Sequence, residues 1–150
     1  MQKLVNLVNW ANNLLSQFPL FILALGARIF VGLQFFKSGS LKFDGWFSVS
    51  DTTFYLFKND FSGVPLPPVM GAYMAAYGEV ILATLLIIGL GARFSALGLL
   101  VMSIVIQTFV FPEAYILHGL WAVSLIYVIK YGGGMLSVDY FIKRNITRTH

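Results

Sequence analysis

A chain of 150 residues in which 58% are hydrophobic and 11% charged is too apolar for a water-soluble domain, where charge runs at about a quarter of residues. It reads as an integral membrane protein. The absence of cysteine excludes disulfides, thiol redox chemistry and thiolate metal sites within the chain, so any redox role has to be borrowed. The formal charge of +4 does not point to nucleic acid, because the basic residues are spread among the ends and loops of apolar segments and form no stripe.

The N-terminus lacks the short apolar core and small-residue cleavage site of a removable signal peptide. Residues 1–17 place Leu4, Leu7, Val8, Ala11, Leu14 and Leu15 at helical spacing, with Asn6, Asn9, Asn12 and Asn13 among the other faces. That pattern predicts an amphipathic helix, with Trp10 able to sit at headgroup level. It lies either in the membrane interface or against the end of the bundle.

Pro19 opens a first span over 19–36, which as a helix would rise about 27 Å and match the hydrocarbon thickness. Ala24, Arg28 and Gly32 recur every four residues, so one face carries an arginine between small residues that let a neighbour approach. Residues 37–68 form the long connection, rich in Phe43, Trp46, Phe47, Phe54, Tyr55, Phe57 and Phe61. Such aromatic density predicts a loop folded over the interface, containing a short helix from Thr52 to Asp60 capped by Asp51. Pro65, Pro67 and Pro68 then start the next helix.

The second span, 69–90, carries Glu79 near its middle, where an acid has to be paired, protonated or hydrated. GLGAR (89–93) is a tight turn into a third span, 94–111, and FPEAY (111–115) leads into a fourth, 115–131. Gly132 to Gly134 stop the last helix before a basic tail, 132–150. Short turns imply antiparallel neighbours, so the fold class is an all-α membrane protein: a four-helix transmembrane bundle with an interfacial N-terminal helix. The side holding both termini collects Lys3, Arg93, Lys130, Lys143, Arg144 and Arg148, against Lys37, Lys42 and Lys58 on the other. The positive-inside rule makes both termini cytoplasmic and turns the aromatic loop outward.

Counted from the span ends, Arg28 and Glu79 reach the same depth, which predicts an ion pair between adjacent helices. The pair either locks two helices together or forms the charged floor of a cavity. Above it, Gln34, Lys37, Tyr73, Tyr77, Gln107, Glu113 and His118 belong to the outer half and could line a vestibule. Lys37 and Tyr73 also suit plain headgroup anchoring. One usable histidine, one nearby acid and no cysteine make a poor metal set, and none is assigned. No serine elbow and no phosphate loop is present.

ARIFVGLQFFKSGSLKF, PLPPVMGAYMAAYGEVILATLLIIGLGARFSALGLL and GGGMLSVDYFI, in that order over residues 27–142, resemble the DoxX family of small four-helix bacterial inner-membrane proteins. Arg28, Gly78 with Glu79, Gly89 to Arg93, and Gly134 with Ser137 and Asp139 match that family's pattern. The family takes its name from the membrane subunit of a thiosulfate:quinone oxidoreductase. Relatives are linked to thiol-stress systems, methylamine dehydrogenase maturation and gene sets for copper-binding bufferin peptides, the subtype that KSG and VPLPP resemble most. The resemblance implies an accessory protein for a periplasm-facing redox or copper-handling system, with a periplasmic or membrane partner or a second copy of itself. It implies alternatively a quinone-interacting subunit, or a purely structural role.

Overall fold

The computed structural model describes residues 1–45 and 47–147. Trp46 of the aromatic loop and Arg148 of the basic tail lie outside the described residues. Seven α-helices form among the described residues: α1 (Gln2–Ser16), α2 (Leu20–Ser40), α3 (Asp51–Asn59), α4 (Pro68–Ile88), α5 (Ala92–Phe109), α6 (Tyr115–Tyr131) and α7 (Val138–Ile146). A short antiparallel hairpin, β1 (Phe43–Asp44) and β2 (Ser48–Val49), precedes α3. Among the described residues four segments are long and apolar enough to cross a membrane: α2, α4, α5, and α6 with the 3-10 turn before it.

The four spans form a ring in which α2 packs on α4 and α6, and α5 packs on the same two. Its centre is filled by Val31, Phe35, Ala83, Leu86, Ala96, Leu99, Leu125 and Val128. Small residues recur there because lipid tails are as apolar as leucine, so close packing rather than exclusion from water holds such helices together. Phe30, Phe94 and Val123 point outward, as a bilayer permits.

Close approach of α2 and α4 fixes their register. A Cβ on Gly32 would fall 2.5 Å from Ile87, and one on Gly39 would fall within 3.0 Å of Glu79 and Val80. Residue 39 is thus level with 79 and 80, and Arg28 is level with Gly89, since a Cβ there would strike its Nη1. The helices are staggered by about ten residues, roughly 15 Å, relative to flush ends.

Three expectations change. The first span continues to Ser40, which puts Lys37 on the helix rather than in the loop. The tail is part of the bundle: Gly134 abuts Ala24 and Phe21, Ser137 is buried, and the backbone N–H of Asp139 donates to the carbonyl of Gly89 at 3.0 Å. Helix α3 begins one residue earlier than expected, at Asp51, because Ser50 rather than Asp51 is its cap, accepting from the Thr53 N–H at 3.1 Å. Helix α1 buries none of its residues, and only Ala11 is half-buried.

Candidate functional site

The expected ion pair of Arg28 with Glu79 does not form. The stagger places the two at different depths, with Gly39 level with Glu79 and Arg28 level with Gly89, whereas equal depth requires flush span ends. Each has other partners.

Arg28, 1% exposed, lies where α2 passes the end of α4. Its Nη2 donates to the carbonyl of Leu136, and Nε and Nη1 are buried without a hydrogen-bond partner. Its compensation is electrostatic. Asp139 acts on it, and the guanidinium sits over Gly89, the C-cap of α4, where the helix dipole is negative. Gly89 takes a left-handed φ of +74°, open to glycine at little cost. Asp139 in turn accepts from the N–H groups of Gly91 and Ala92 at 2.8 and 2.9 Å, satisfying the free amides that begin α5. Arg28, the GLGAR turn and the Gly134-Ser137-Asp139 segment thus form one knot at the end that holds the termini.

Glu79, at the other level, pairs with Lys42. The Nζ to Oε2 distance is 2.7 Å, with the side chains 20% and 3% exposed respectively. Lys42 Nζ also donates to the carbonyl and hydroxyl of Ser38, at 3.2 and 3.0 Å, which occupies all three of its hydrogens. Its backbone carbonyl accepts from Ser50 N–H at 2.9 Å and Thr53 Oγ1 at 3.1 Å. One residue therefore joins the exit of α2, the acid of α4 and the hairpin with α3. In the sequence alone Lys42 is no more than a topology charge. Its position four residues after Ser38 was visible, but the stagger that brings it to Glu79 was not.

Beside this pair lies a cavity of about 1280 Å³. Phe57, Phe61 and Leu66 cover it from the loop, and Phe35, Leu82, Met102, Ile106 and Trp121 wall it from the spans. Its lining extends onto Met74 of α4 and Phe94, Leu97 and Val101 of α5, all exposed on the lipid-facing surface. The space therefore opens sideways between α4 and α5. Lys42 and Glu79 are the lining's two charged residues.

The predicted vestibule is assembled in part. Gln34, Glu79 and His118 line the cavity. Gln107 stands behind the histidine: its Nε2 donates to the Pro112 carbonyl at 2.7 Å, and its Oε1 is 2.6 Å from His118 Nδ1. His118 rests against Trp121, with ring centroids 4.9 Å apart. Tyr77 donates to the Phe47 carbonyl at 2.6 Å and packs edge-on with Phe43, while Tyr73 meets Phe54. Both tyrosines hold the aromatic loop down rather than face the cavity. Lys37 and Glu113 are exposed and outside the lining, because α2 turns Lys37 away and Glu113 sits in the 3-10 turn. No group of three His, Cys, Asp or Glu side chains able to hold a metal ion occurs among the described residues.

A family model described as DoxX matches residues 23–112. The chain is also similar to a protein of Haemophilus influenzae described as uncharacterized, 31% identical over 127 residues that cover 78% of this chain and 81% of that one. No solved structure gives a significant match. The matched segment holds Arg28, Lys42, Glu79 and the GLGAR turn.

Proposed function

Since the chain belongs to the DoxX family of multi-pass membrane proteins, we propose that it is a membrane-embedded binding protein. It holds a lipid-soluble molecule in the cavity at the loop end, as an accessory to a redox or metal-handling system on that side of the bacterial inner membrane. The observation that carries this reading is the cavity itself, about 1280 Å³, apolar over most of its wall and open to the lipid between α4 and α5. Ligand sites of this kind combine a large apolar wall with a few placed polar groups. A ligand with a polar ring and an isoprenoid tail, a quinone in its reduced quinol form among them, suits that division. The lysine and arginine bias supports cytoplasmic termini and a periplasmic loop. Copper fits the chain less well, since no group of three His, Cys, Asp or Glu side chains occurs among the described residues and a partner would have to complete any such site. Electrons, if they pass, come from a partner too, because the chain has no thiol.

The test fills the cavity without disturbing the bundle. A Cβ on Gly78 meets only the Met102 thioether, at 3.6 Å, so Gly78→Leu extends into free space and gains helix propensity. Protein captured in nanodiscs of native membrane should carry an enriched apolar small molecule by mass spectrometry, and Gly78→Leu should lose it at unchanged thermal stability. The same molecules at the same occupancy in both proteins would sink the proposal.

A further inference from the structure

The polar atoms that face the cavity identify the headgroup. We infer that the ligand is a neutral amphiphile whose head carries a hydroxyl group, bound by donating to Glu79 and His118. This rests on the cavity reading above.

The argument is an inventory of hydrogens. Lys42 Nζ is saturated by Ser38 and Glu79 Oε2, so the cation of the pair has no donor left for a ligand. Glu79 Oε1 makes no hydrogen bond among the described residues. His118 is set by Gln107: with its amide Nε2 committed to the Pro112 carbonyl, Gln107 presents Oε1 to the ring. An amide oxygen only accepts, so His118 Nδ1 carries the hydrogen and, in the neutral ring, Nε2 is left as an acceptor. Nε2 likewise makes no hydrogen bond among the described residues. Neither atom is sealed off. The fully buried side-chain polar atoms without a partner are both on Arg28, so Glu79 Oε1 and His118 Nε2 each keep accessible surface.

The hydroxyls nearby do not change the balance. Thr53 Oγ1 donates to the Lys42 carbonyl, and the Ser50 hydroxyl lies 2.9 Å from Thr53 Oγ1, to which it donates in turn. Of the lining's other donors, the Ser38 hydroxyl accepts from Lys42 Nζ and keeps its own hydrogen, while the Gln34 amide, the Thr52 hydroxyl and the Trp121 indole belong to residues that are exposed or half-buried. Around the ion pair and the histidine, two open acceptors thus stand against the single Ser38 hydrogen, and a head offering O–H groups fits where a head offering only carbonyls leaves acceptor against acceptor. The head is uncharged because Lys42 and Glu79 cancel and no other lining residue is formally charged.

The experiment compares matched probes in lipid nanodiscs, read by tryptophan fluorescence and competition: para-dodecylphenol, its methyl ether and dodecylammonium. The phenol should bind roughly tenfold or more tighter than the ether, the worth of one hydrogen bond to a charged acceptor, and tighter than the ammonium. In Glu79→Gln the carboxamide oxygen turns to Lys42 and its NH2 faces the cavity, so the preference should shrink or reverse. In His118→Phe, which keeps the ring against Trp121, it should fall several-fold. Equal binding of phenol and ether leaves a cavity that binds but overturns the hydroxyl head. Tighter binding of dodecylammonium overturns its neutrality. If none of the probes binds, the cavity reading fails and this inference with it.

Discussion

The two intramembrane charges make opposite predictions depending on which of them meet, and a pair of double-mutant cycles separates the cases. At 2.7 Å the Coulomb attraction of Lys42 and Glu79 is about 6 kcal/mol at an effective dielectric of about 20. Most of it is spent on desolvation, since Glu79 is nearly buried. Removing the lysine alone, as Lys42→Met, leaves that carboxylate without its cation and should destabilise the protein by about 3 kcal/mol. Glu79→Leu costs less, about 1 to 2 kcal/mol, because the Lys42 ammonium keeps its two bonds to Ser38. The double variant removes both charges, so the cycle should return a coupling of about 2 kcal/mol. Arg28 and Glu79 share no partner, and the cycle through Arg28→Met and Glu79→Leu should give a coupling near zero. Unfolding by steric trapping in bicelles measures both cycles under one condition. A larger coupling for Arg28 with Glu79 than for Lys42 with Glu79 would refute the stagger and everything built on it.

Gly89→Ala should be among the most damaging small substitutions, by about 3 kcal/mol or more in the same assay, because the added methyl meets a left-handed φ and the Arg28 guanidinium at once. An effect below 1 kcal/mol, on the order of an ordinary helix-end substitution, would place Arg28 elsewhere. Asp139→Ala should cost about 1 to 2 kcal/mol through loss of the α5 cap, and Asp139→Asn, which keeps one acceptor oxygen, should cost less. Hydrogen exchange at Gly91 and Ala92 should rise in both variants, and unchanged exchange would count against the cap. Gly39→Val should prise α2 from α4 at the level of the ion pair, lowering thermal stability and exposing Glu79 to carbodiimide labelling in detergent. Labelling as slow as in the parent protein would contradict the close approach.

The elements were legible because bilayer thickness fixes span length: α4, α5 and α6 lie within two residues of the predicted ends at each terminus. The small-residue faces around Arg28 and Glu79 were also read correctly as packing faces, and both residues are buried. What the sequence concealed was the relative height of the helices. A period of four residues says which side of a helix faces a neighbour and nothing about how far one slides along the other. That sliding is set by where glycines permit contact, at Gly32 and Gly39, and by the extra turn of α2 through Ser40. The error moved both charges to false partners and hid Lys42. The hairpin was missed for a different reason, since two residues per strand are too few to show alternation. The Gln107 and His118 pair was gathered into the right half of the bundle, but its hydrogen-bond direction needed the Pro112 carbonyl, contributed by a turn that is structured only in three dimensions.

The knot around Arg28 also has a history in time. Leu136, which accepts its hydrogen bond, lies 108 residues further along the chain, so at translation speeds of about 5 to 20 residues per second the arginine waits roughly 5 to 20 seconds for it. During that interval the first span carries a lone cation, which the bilayer drives toward the headgroups. Arrival of the 134–139 segment then gives the arginine its hydrogen-bond partner and holds α2 at the height its glycines set against α4. Ribosome stalling just short of Gly134 should therefore trap the first span in a shallower position than the finished protein shows, making its insertion a late event although it is the first span to be made.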